Sequence, residues 1–328
     1  MTNLVFPKSI WFFLLALLVA AQCQAAPLPT PTPPPAPPTP TPLLIPPIPT
    51  GDGSDLLDRL LASGVLRVGI RVWPEANFSP PAFRGFSNAE TGGALNGFEV
   101  DLAHHVAEGL GLELELVEGY PPALISGDWR GQWDIAIASL VPFDPPPDRS
   151  SNPLVFSKPY GYMPMGLLSL TTADDVKALS SLAGRPVGVL EDSAYQRLLF
   201  PGGAALTVQQ KPLLPQRPAD VQPVPLANLQ KAIRHMGQPQ SDAEFQGEVL
   251  FGPGPMFEEA VKSGLPVKWI KVGVQPLAVA TVPVDNLKVD RLMLEINKIL
   301  ARLHRQGTLA EIYLKWYGQD FSRSEDGK

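Results

Sequence analysis

Apolar residues from position 54 onward follow two alternating periods, one typical of strands and the other of helices. Residues 66–72 alternate in side-chain character and include several β-branched residues, which predicts a strand. A helix is predicted to end at Gly111, because apolar residues recur before it at every fourth position. These residues are Phe98, Leu102, Val106 and Leu110.

The same alternation of strands and helices continues to the C-terminus. Further strands are predicted at 112–117, 134–139, 186–190, 248–251 and 267–272. Further helices are predicted at 55–62 with Ser54 as its cap, at 194–200 with Ser193 as its cap, at 226–236 and at 256–263. Two C-terminal helices are marked by Leu292, Ile296, Ile299 and Leu303, and by Leu309, Ile312, Tyr313 and Trp316. Strands separated by helices in two runs predict an α/β protein of two lobes, each with a mostly parallel sheet.

Residues 1–25 are predicted to be an export signal. Lys8 precedes an apolar run over 10–21, which has the length of a signal-peptide core and falls short of the roughly 20 residues that a membrane span requires. Cys23 follows directly, and two interpretations remain open. Either a signal peptidase cleaves after Ala25, or residues 20–23 form a lipobox that makes a lipidated Cys23 the mature N-terminus. Gln22 departs from the small residue that usually precedes such a cysteine.

About half of residues 26–50 are proline, and none is charged. Proline lacks an N–H donor and fixes φ, so this segment forms neither helix nor sheet. Polyproline II conformation is expected, which would make the segment a stiff tether of up to roughly 75 Å between an anchor and a domain. A disordered linker without a role is the alternative. In both cases the folded part begins near Gly51.

The composition narrows the range of partners. The 328 residues carry 26 basic and 32 acidic side chains, a net charge of −6, with no block of Lys or Arg. This argues against nucleic acid, because phosphate binding requires a concentrated basic surface. One cysteine and four scattered histidines favour neither a disulfide scaffold nor a metal site. No glycine-rich phosphate loop is present, so no cofactor is predicted.

Five segments together carry a family resemblance. They are LASGVLRVG at 61–69, NGFEVDL at 96–102, FSKPY at 156–160, LAGRPVGVL at 182–190 and GTLAEIYLKWYG at 307–318. In this order they resemble the bacterial extracellular solute-binding proteins of family 3, which bind polar amino acids and have the type II periplasmic binding fold. The resemblance covers the folded part and not the tether.

The resemblance implies a monomeric solute-binding domain over 51–322 and a short tail at 323–328. Lobe 1 is expected at about 51–166 and 277–322, and lobe 2 at about 170–273, with two hinge crossovers between them. The ligand would lie in the cleft and favour the closed state. Strand ends and helix N-termini in such clefts supply free N–H groups for a carboxylate.

The resemblance also implies ligand-binding residues in the first lobe. Arg149 stands near the place of an arginine that grips the ligand carboxylate in two hydrogen bonds; alternatively it is a solvated arginine of a polar loop. Ser139 at the end of the third strand would add hydroxyl and backbone contacts. Phe83 matches an aromatic of the cleft, joined by Trp73 and Phe78, although aromatic residues at such spacing are more often core.

Four acidic or hydroxyl residues carry open alternatives. Ser193 either binds the carboxylate or only caps its helix. Asp101 either contacts the ligand or is a solvated or locally capping carboxylate. Pro253 occupies the place of the aspartate that usually holds the ligand ammonium, and a buried ammonium requires an anionic or carbonyl partner. Either Glu191 or Asp192 substitutes, or the ligand is not a standard α-amino acid.

The resemblance implies the exported binding component of an ABC importer, which passes a small polar solute, an amino acid or a related carboxylate, to a permease with separate ATPase subunits. We expect it at the cell surface or in the periplasm, attached to the membrane by the lipid anchor. A sensing receptor without transport is the alternative. An enzyme similar to cyclohexadienyl dehydratase is less favoured, because no motif selects a general acid.

Overall fold

A computed structural model of the chain describes residues 48–84, 93–144, 154–200, 206–214, 220–236 and 245–324. The predicted export signal, Cys23, nearly all of the tether and Arg149 lie outside the described residues. Within them the chain forms two five-stranded sheets, each flanked by helices, and two short hairpins. The α/β fold class expected from the sequence is confirmed, but each sheet is mixed and not mostly parallel, because the strands that connect the lobes pair antiparallel with their neighbours.

The first sheet, with its helices, is called lobe 1. Its strands are β1 (Val65–Ile70), β4 (Glu113–Glu118), β5 (Ile135–Ala136), β6 (Val155–Phe156) and β14 (Ala280–Thr281), in the order β4-β1-β5-β14-β6. Its helices are α1 (Leu56–Ser63), α2 (Phe98–Leu110), α3 (Pro121–Ser126), α7 (Asp290–Gln306) and α8 (Thr308–Tyr317). Strand β1 is parallel to β4 and β5, whereas β14 is antiparallel to β5 and β6.

The second sheet, with its helices, is called lobe 2. Its strands are β7 (Gly161–Leu170), β8 (Pro186–Leu190), β11 (Gln222–Leu226), β12 (Val249–Pro253) and β13 (Val267–Leu277), in the order β11-β8-β12-β7-β13. Its helices are α4 (Ala194–Leu199), α5 (Leu229–His235) and α6 (Gly254–Lys262), with a 3-10 turn at Leu179–Leu182. In this sheet too, half of the strand pairs are parallel and half are antiparallel. Strand β8 is parallel to β11 and β12, whereas β7 is antiparallel to β12 and β13.

The two short hairpins complete the described structure. They pair β2 (Phe83–Arg84) with β3 (Leu95–Asn96), and β9 (Thr207–Val208) with β10 (Lys211–Pro212).

The chain passes between the lobes along the antiparallel pair β7 and β13. It leaves lobe 1 after β6 and enters β7, and it returns through β13 to β14. Residues 161–170 were not predicted as a strand, because they are almost continuously apolar and show no alternation. That pattern is typical of a central strand covered on both faces. Gly166 permits close packing there, since an added Cβ would lie 2.7 Å from the ring of Trp269.

Several elements fall where the apolar pattern predicts them. Helix α2 ends at Gly111, which has a φ of 71°, and the apolar residues at every fourth position are buried. Strand β8 has the predicted bounds, and Ser193 is the cap of α4. The predicted strand at 134–139 is reduced to Ile135–Ala136, because the chain bends at Ser139 toward the space between the lobes.

The cap of α1 is Asp55, not Ser54 as expected. The Asp55 carboxylate, which is 2% exposed, accepts a hydrogen bond from the N–H of Leu57 (3.0 Å). It also accepts from the N–H groups of Arg291 (3.0 Å) and Leu292 (3.3 Å) at the start of α7. One buried carboxylate therefore satisfies free donors of two helices that are distant in sequence.

We expect Asp55→Ala to lower the free energy of unfolding by about 2–4 kcal/mol, because it removes two helix caps and leaves buried N–H groups without acceptors. Urea unfolding followed by circular dichroism measures this loss. Asp52→Ala is the matched control, since the Asp52 carboxylate is exposed and bonds only Ser54 among the described residues. Equal stability of the two variants would show that Asp55 does not couple α1 to α7.

Candidate functional site

A cavity of about 360 Å³ lies between the two lobes and is lined by residues of both. Four of its polar and charged residues lie just beyond strand ends or at a helix start. Arg71 follows β1, Ser139 lies shortly after β5, and Asp192 follows β8, while Glu99 begins α2. Carboxyl ends of parallel strands and N-termini of helices converge at such a crevice, which is where ligands bind in open α/β sheets.

Glu99 is the most deeply buried acid of the cavity. It is 1% exposed, and it accepts a hydrogen bond from the Ser139 hydroxyl (2.7 Å). Burial raises its pKa to about 8, against the opposing effects of Ser139 and of the positive charge on Arg71. Burial raises the pKa values of Tyr160 and Tyr317 well above the usual value, and the nearby Glu99 adds to this effect. Because its pKa is about 8, the Glu99 carboxyl group keeps its proton at neutral pH.

Arg71 connects the two lobes across the cavity. Its guanidinium donates to the backbone carbonyl of Asp192 (2.7 Å) and to that of Glu191 (3.0 Å) in lobe 2. Burial lowers the pKa of Arg71, and the nearby carboxylates of Asp192 and Glu191 oppose that effect. The sequence analysis did not single out Arg71. The position of Arg71 at the end of the first predicted strand is the sequence feature that could have identified it.

Lobe 2 contributes the turn between β8 and α4. Asp192 has a φ of 47°, in the left-handed region that few residues other than glycine adopt, and Ser139 across the cavity has a φ of 51°. The Ser193 hydroxyl accepts from the N–H of Gln196 (3.3 Å) and donates to the carbonyl of Leu190. Ser193 thus caps α4 and also borders the cavity.

Pro253 borders the cavity at the place where the resemblance expects an ammonium-binding aspartate. Of the two proposed substitutes, Asp192 borders the cavity, whereas Glu191 borders a smaller hollow of about 140 Å³ that Arg71 also lines. Arg197 also lines the cavity, with its guanidinium 4.7 Å from the ring centre of Phe143. The sequence analysis did not single out Arg197 either.

The remaining aromatic and acidic candidates have other surroundings. Phe83 packs edge-on against Trp316 with ring centres 6.0 Å apart, and it is not among the residues that border the cavity. Trp73 borders the cavity, whereas Phe78 is buried in the apolar core of lobe 2. Asp101 accepts hydrogen bonds from Lys315 (2.6 Å) and from the Trp316 indole (2.7 Å), which ties α2 to α8.

Two further sets of contacts hold the lobes together. Glu75, in the segment after β1, forms an ion pair with Arg234 of lobe 2, and Gln230 donates to the Glu75 carbonyl (2.8 Å). Asp144 of lobe 1 accepts from the Thr207 hydroxyl (2.7 Å) and from two N–H groups of the β9–β10 hairpin. These hydrogen bonds hold the pKa of Asp144 below its usual value. The structure is therefore that of a closed cleft.

Within the described ranges, His, Cys, Asp and Glu side chains form no group of three or more suited to a metal ion. Among the helices of those ranges, none combines the length and the apolar character that crossing a membrane requires.

Two lobes joined by β7 and β13, with a cavity between them, are the architecture of periplasmic binding proteins. The profile of one family, described as "Bacterial extracellular solute-binding proteins, family 3", matches residues 70–319. The chain belongs to this family, and the resemblance found in the sequence is confirmed.

Two curated proteins are similar to the chain. A "Probable amino-acid ABC transporter-binding protein" of Haemophilus influenzae is 24% identical over 270 residues, which cover 82% of this chain and 91% of the relative. A "Membrane-bound lytic murein transglycosylase F" of Desulfosudis oleivorans is 27% identical over 222 residues. That match covers 67% of this chain and only 44% of the relative.

Solved structures show the same fold. An amino acid ABC transporter substrate-binding protein, AbpA, from Streptococcus pneumoniae, bound to L-arginine, has a TM-score of 0.59 at 18% identity, and the match covers 82% of this chain and 100% of that one. An ancestral arginine-binding protein bound to glutamine has a TM-score of 0.55 at 25% identity, with 78% and 99% covered. The type II periplasmic binding fold is confirmed.

The buried Glu99 makes stability dependent on pH. The unfolded chain releases this proton near pH 4.5, whereas the folded protein keeps it up to about pH 8. The free energy of unfolding should therefore fall as pH rises through this window, by up to about 1.4 kcal/mol per pH unit. We expect Glu99→Gln to remove this contribution and to be more stable than the natural protein at pH 8. Urea unfolding between pH 5 and pH 8 measures it.

Glu113→Gln is the control, because Glu113 is exposed at the start of β4. It should leave the pH profile of the natural protein unchanged. If Glu99→Gln also keeps that pH profile, Glu99 is ionised in the folded protein, and its assignment as a protonated group is wrong.

Proposed function

We propose that this protein is the extracytoplasmic binding component of an ABC importer, and that it delivers an amino acid or a related carboxylate to a membrane permease. The observation that carries the proposal is the cavity enclosed by both lobes, with Arg71 bonded across it. A ligand enclosed in this way contributes to the closed state that a permease would recognise. The name of the Haemophilus influenzae relative supports both the transporter and the ligand class.

The ligand carboxylate is assigned to Arg149. Arg149 belongs to the segment 145–153, which lies outside the described residues. Leu154, just after that segment, borders the cavity, as do Arg71 and Arg197. A guanidinium in a partly desolvated cleft binds a carboxylate through two charge-assisted hydrogen bonds. Ser139, Ser193 and Asp192 are proposed to complete the polar contacts.

We propose that the cavity binds its ligand without converting it. Two alternative functions predict different experimental results. A sensing receptor would bind the same ligand without supporting uptake, and a dehydratase-like enzyme would convert its ligand. Prolonged incubation of the protein with a bound ligand, followed by NMR of the ligand, separates binding from catalysis.

Residues 1–25 and 26–50 are proposed to export the protein and to hold it at a distance from the membrane. The family is one of extracellular proteins, which supports export. Cys23 would carry the lipid, and the proline-rich tether would connect it to a monomeric binding domain. The permease and the ATPase would be separate subunits.

Thermal unfolding of the purified protein against amino acids, small dicarboxylates, polyamines and sugars tests the ligand class. A ligand at a hundredfold excess over Kd stabilises the folded state by about 2.7 kcal/mol, which raises Tm by several degrees. We expect this rise for an amino acid or related carboxylate.

Arg149→Ala should weaken binding more than tenfold, as expected for the loss of a charge-assisted pair.

Arg130→Ala is the control, because the Arg130 side chain is exposed and pairs with Asp128. Equal affinity of the two variants would exclude Arg149 as the residue that binds the carboxylate.

In cells, deletion of the protein should abolish uptake of the identified ligand. Undiminished uptake would favour the sensing receptor.

We expect Cys23→Ser to release the protein from membranes, because it removes the only thiol that can carry the lipid. Fractionation of cells into soluble and membrane parts, followed by immunoblotting, measures this. The natural protein should stay in the membrane fraction after a high-salt wash. A Cys23→Ser protein that also stays there would contradict the lipid anchor and favour cleavage after Ala25.

A further inference from the structure

A segment of lobe 1 reaches across to lobe 2 and returns. It covers residues 73–82, between β1 and β2, and is called the strap. Its two ends lie together, because the Trp73 N–H donates to the Ala82 carbonyl (2.9 Å). The second end is also fixed to α2 of lobe 1, since the Glu99 N–H donates to the Pro81 carbonyl (3.0 Å). The strap is therefore a closed loop whose base lies on lobe 1.

An aromatic side chain anchors the tip of the strap in lobe 2. Phe78 is 7% exposed and belongs to a cluster of buried apolar residues. Apart from Phe78 and Trp73, the described members of this cluster are residues of lobe 2, among them Leu229, Ile233 and Phe257. Withdrawal of Phe78 would expose its ring to water and leave a void in lobe 2, and both effects are unfavourable.

Polar groups of α5 hold the backbone and a carboxylate of the strap. Gln230, which is fully buried, donates through Nε2 to the carbonyls of Glu75 (2.8 Å) and Asn77 (2.6 Å). One turn later in α5, Arg234 forms an ion pair with the Glu75 carboxylate. The Asn228 side chain donates to the same carboxylate (3.4 Å). If the strap left lobe 2, the Gln230 amide would lose both of these acceptors, which is costly for a buried donor.

The backbone at the tip of the strap has a conformation that requires support. Phe78 has a φ of 60° and Ser79 a φ of 48°, both in the left-handed region. A bulky residue in this region is strained, and such strain persists only where the surrounding structure holds it. The contacts with lobe 2 provide that support. The strap therefore has a docked state, and it would relax to a different backbone conformation on release.

The strap also forms part of the cavity wall. Trp73, Ser79 and Pro81 line the cavity. Arg71, two residues before the strap, donates to two backbone carbonyls of lobe 2. Movement of the tip away from lobe 2 would therefore displace one wall of the cavity.

We propose that the strap is a latch that keeps the two lobes closed while the cavity is empty, and that release of Phe78 from lobe 2 is the step that admits a ligand. This role does not depend on the identity of a ligand, because the contacts between the strap and lobe 2 are made by the chain alone. Without a latch, a ligand has to supply the free energy of closure. With the latch, the closed form is the major form and a ligand enters through a minor open form.

Single-molecule energy transfer between two dyes, one on each lobe, measures the open fraction without any ligand. His104 of α2 and Lys262 of α6 are exposed and belong to different lobes. The dyes are attached to His104→Cys and Lys262→Cys in a Cys23→Ser background, which contains no other thiol. The molecules with the natural strap should show high transfer, with an open fraction below about a tenth.

Phe78→Ala removes the anchor. It should raise the open fraction, relative to closed molecules, at least about tenfold, as expected for the loss of a buried ring from the closed form only. Phe200→Ala is the matched control, because Phe200 is also a phenylalanine next to lobe 2 structure but is 59% exposed. It should leave the open fraction unchanged.

A second variant keeps the test decisive if Phe78→Ala does not fold. The pair Glu75→Gln and Gln230→Leu removes the ion pair and the two amide hydrogen bonds while Phe78 stays. It should also raise the open fraction about tenfold. Glu118→Gln is the control, because Glu118 forms an exposed ion pair with Arg84 within lobe 1. This control should match the natural strap.

Two results would overturn the latch. One is a natural strap whose molecules are mainly open without ligand, since the docked strap would then require a ligand. The other is an unchanged open fraction in the folded strap variants, since closure would then depend on other contacts between the lobes. Because no ligand is used, the importer function stands or falls separately, by the uptake measurement.

Discussion

The pairing of β7 with β13 is the constraint on which the rest of the structure depends. These two strands are hydrogen-bonded from Gly161–Leu277 at one end to Leu170–Val267 at the other, and the chain enters and leaves lobe 2 through them. Because both crossovers run through one ladder, the two lobes face each other across a fixed base. The ladder also carries Met163 and Gln275, which are directly opposite each other in register, to the cavity. The link between the lobes and part of the cavity wall are thus the same piece of sheet.

Arg71 is the second element of that arrangement. Its guanidinium, which is largely removed from water, is matched by two backbone carbonyls of lobe 2 and by the nearby carboxylates of Asp192 and Glu191. A charge in such a place requires hydrogen-bond partners, and here both acceptor carbonyls belong to the opposite lobe. Glu99, protonated at neutral pH, adds a neutral carboxyl group beside it. The cavity therefore combines a compensated cation with a mainly apolar wall.

The family and the cavity provide different information about this protein. The family profile and the Haemophilus influenzae relative agree on a solute-binding protein, and the fold is the one seen in solved structures of such proteins. The wall of the cavity has proline at 253 and large apolar side chains from both lobes, together with Tyr317 and Gln275. A binding fold fixes where the ligand lies, whereas the side chains at the strand ends decide which ligand it is.

The sequence by itself determined the α/β fold class, the family and the elements with strong local signals, such as α2, which ends at Gly111, and α4, which begins at its Ser193 cap. These depend on periodicity and on caps, which are local. Only the tertiary structure placed β7, whose continuous apolar run has no period, and assigned the cap of α1 to Asp55 through contacts with α7. It alone showed Arg71, Glu99, Gln275 and Tyr317 around one cavity, because their proximity comes from strand ends and helices that are up to 246 positions apart in a chain of 328. Local patterns encode the elements, and packing between distant elements forms the site.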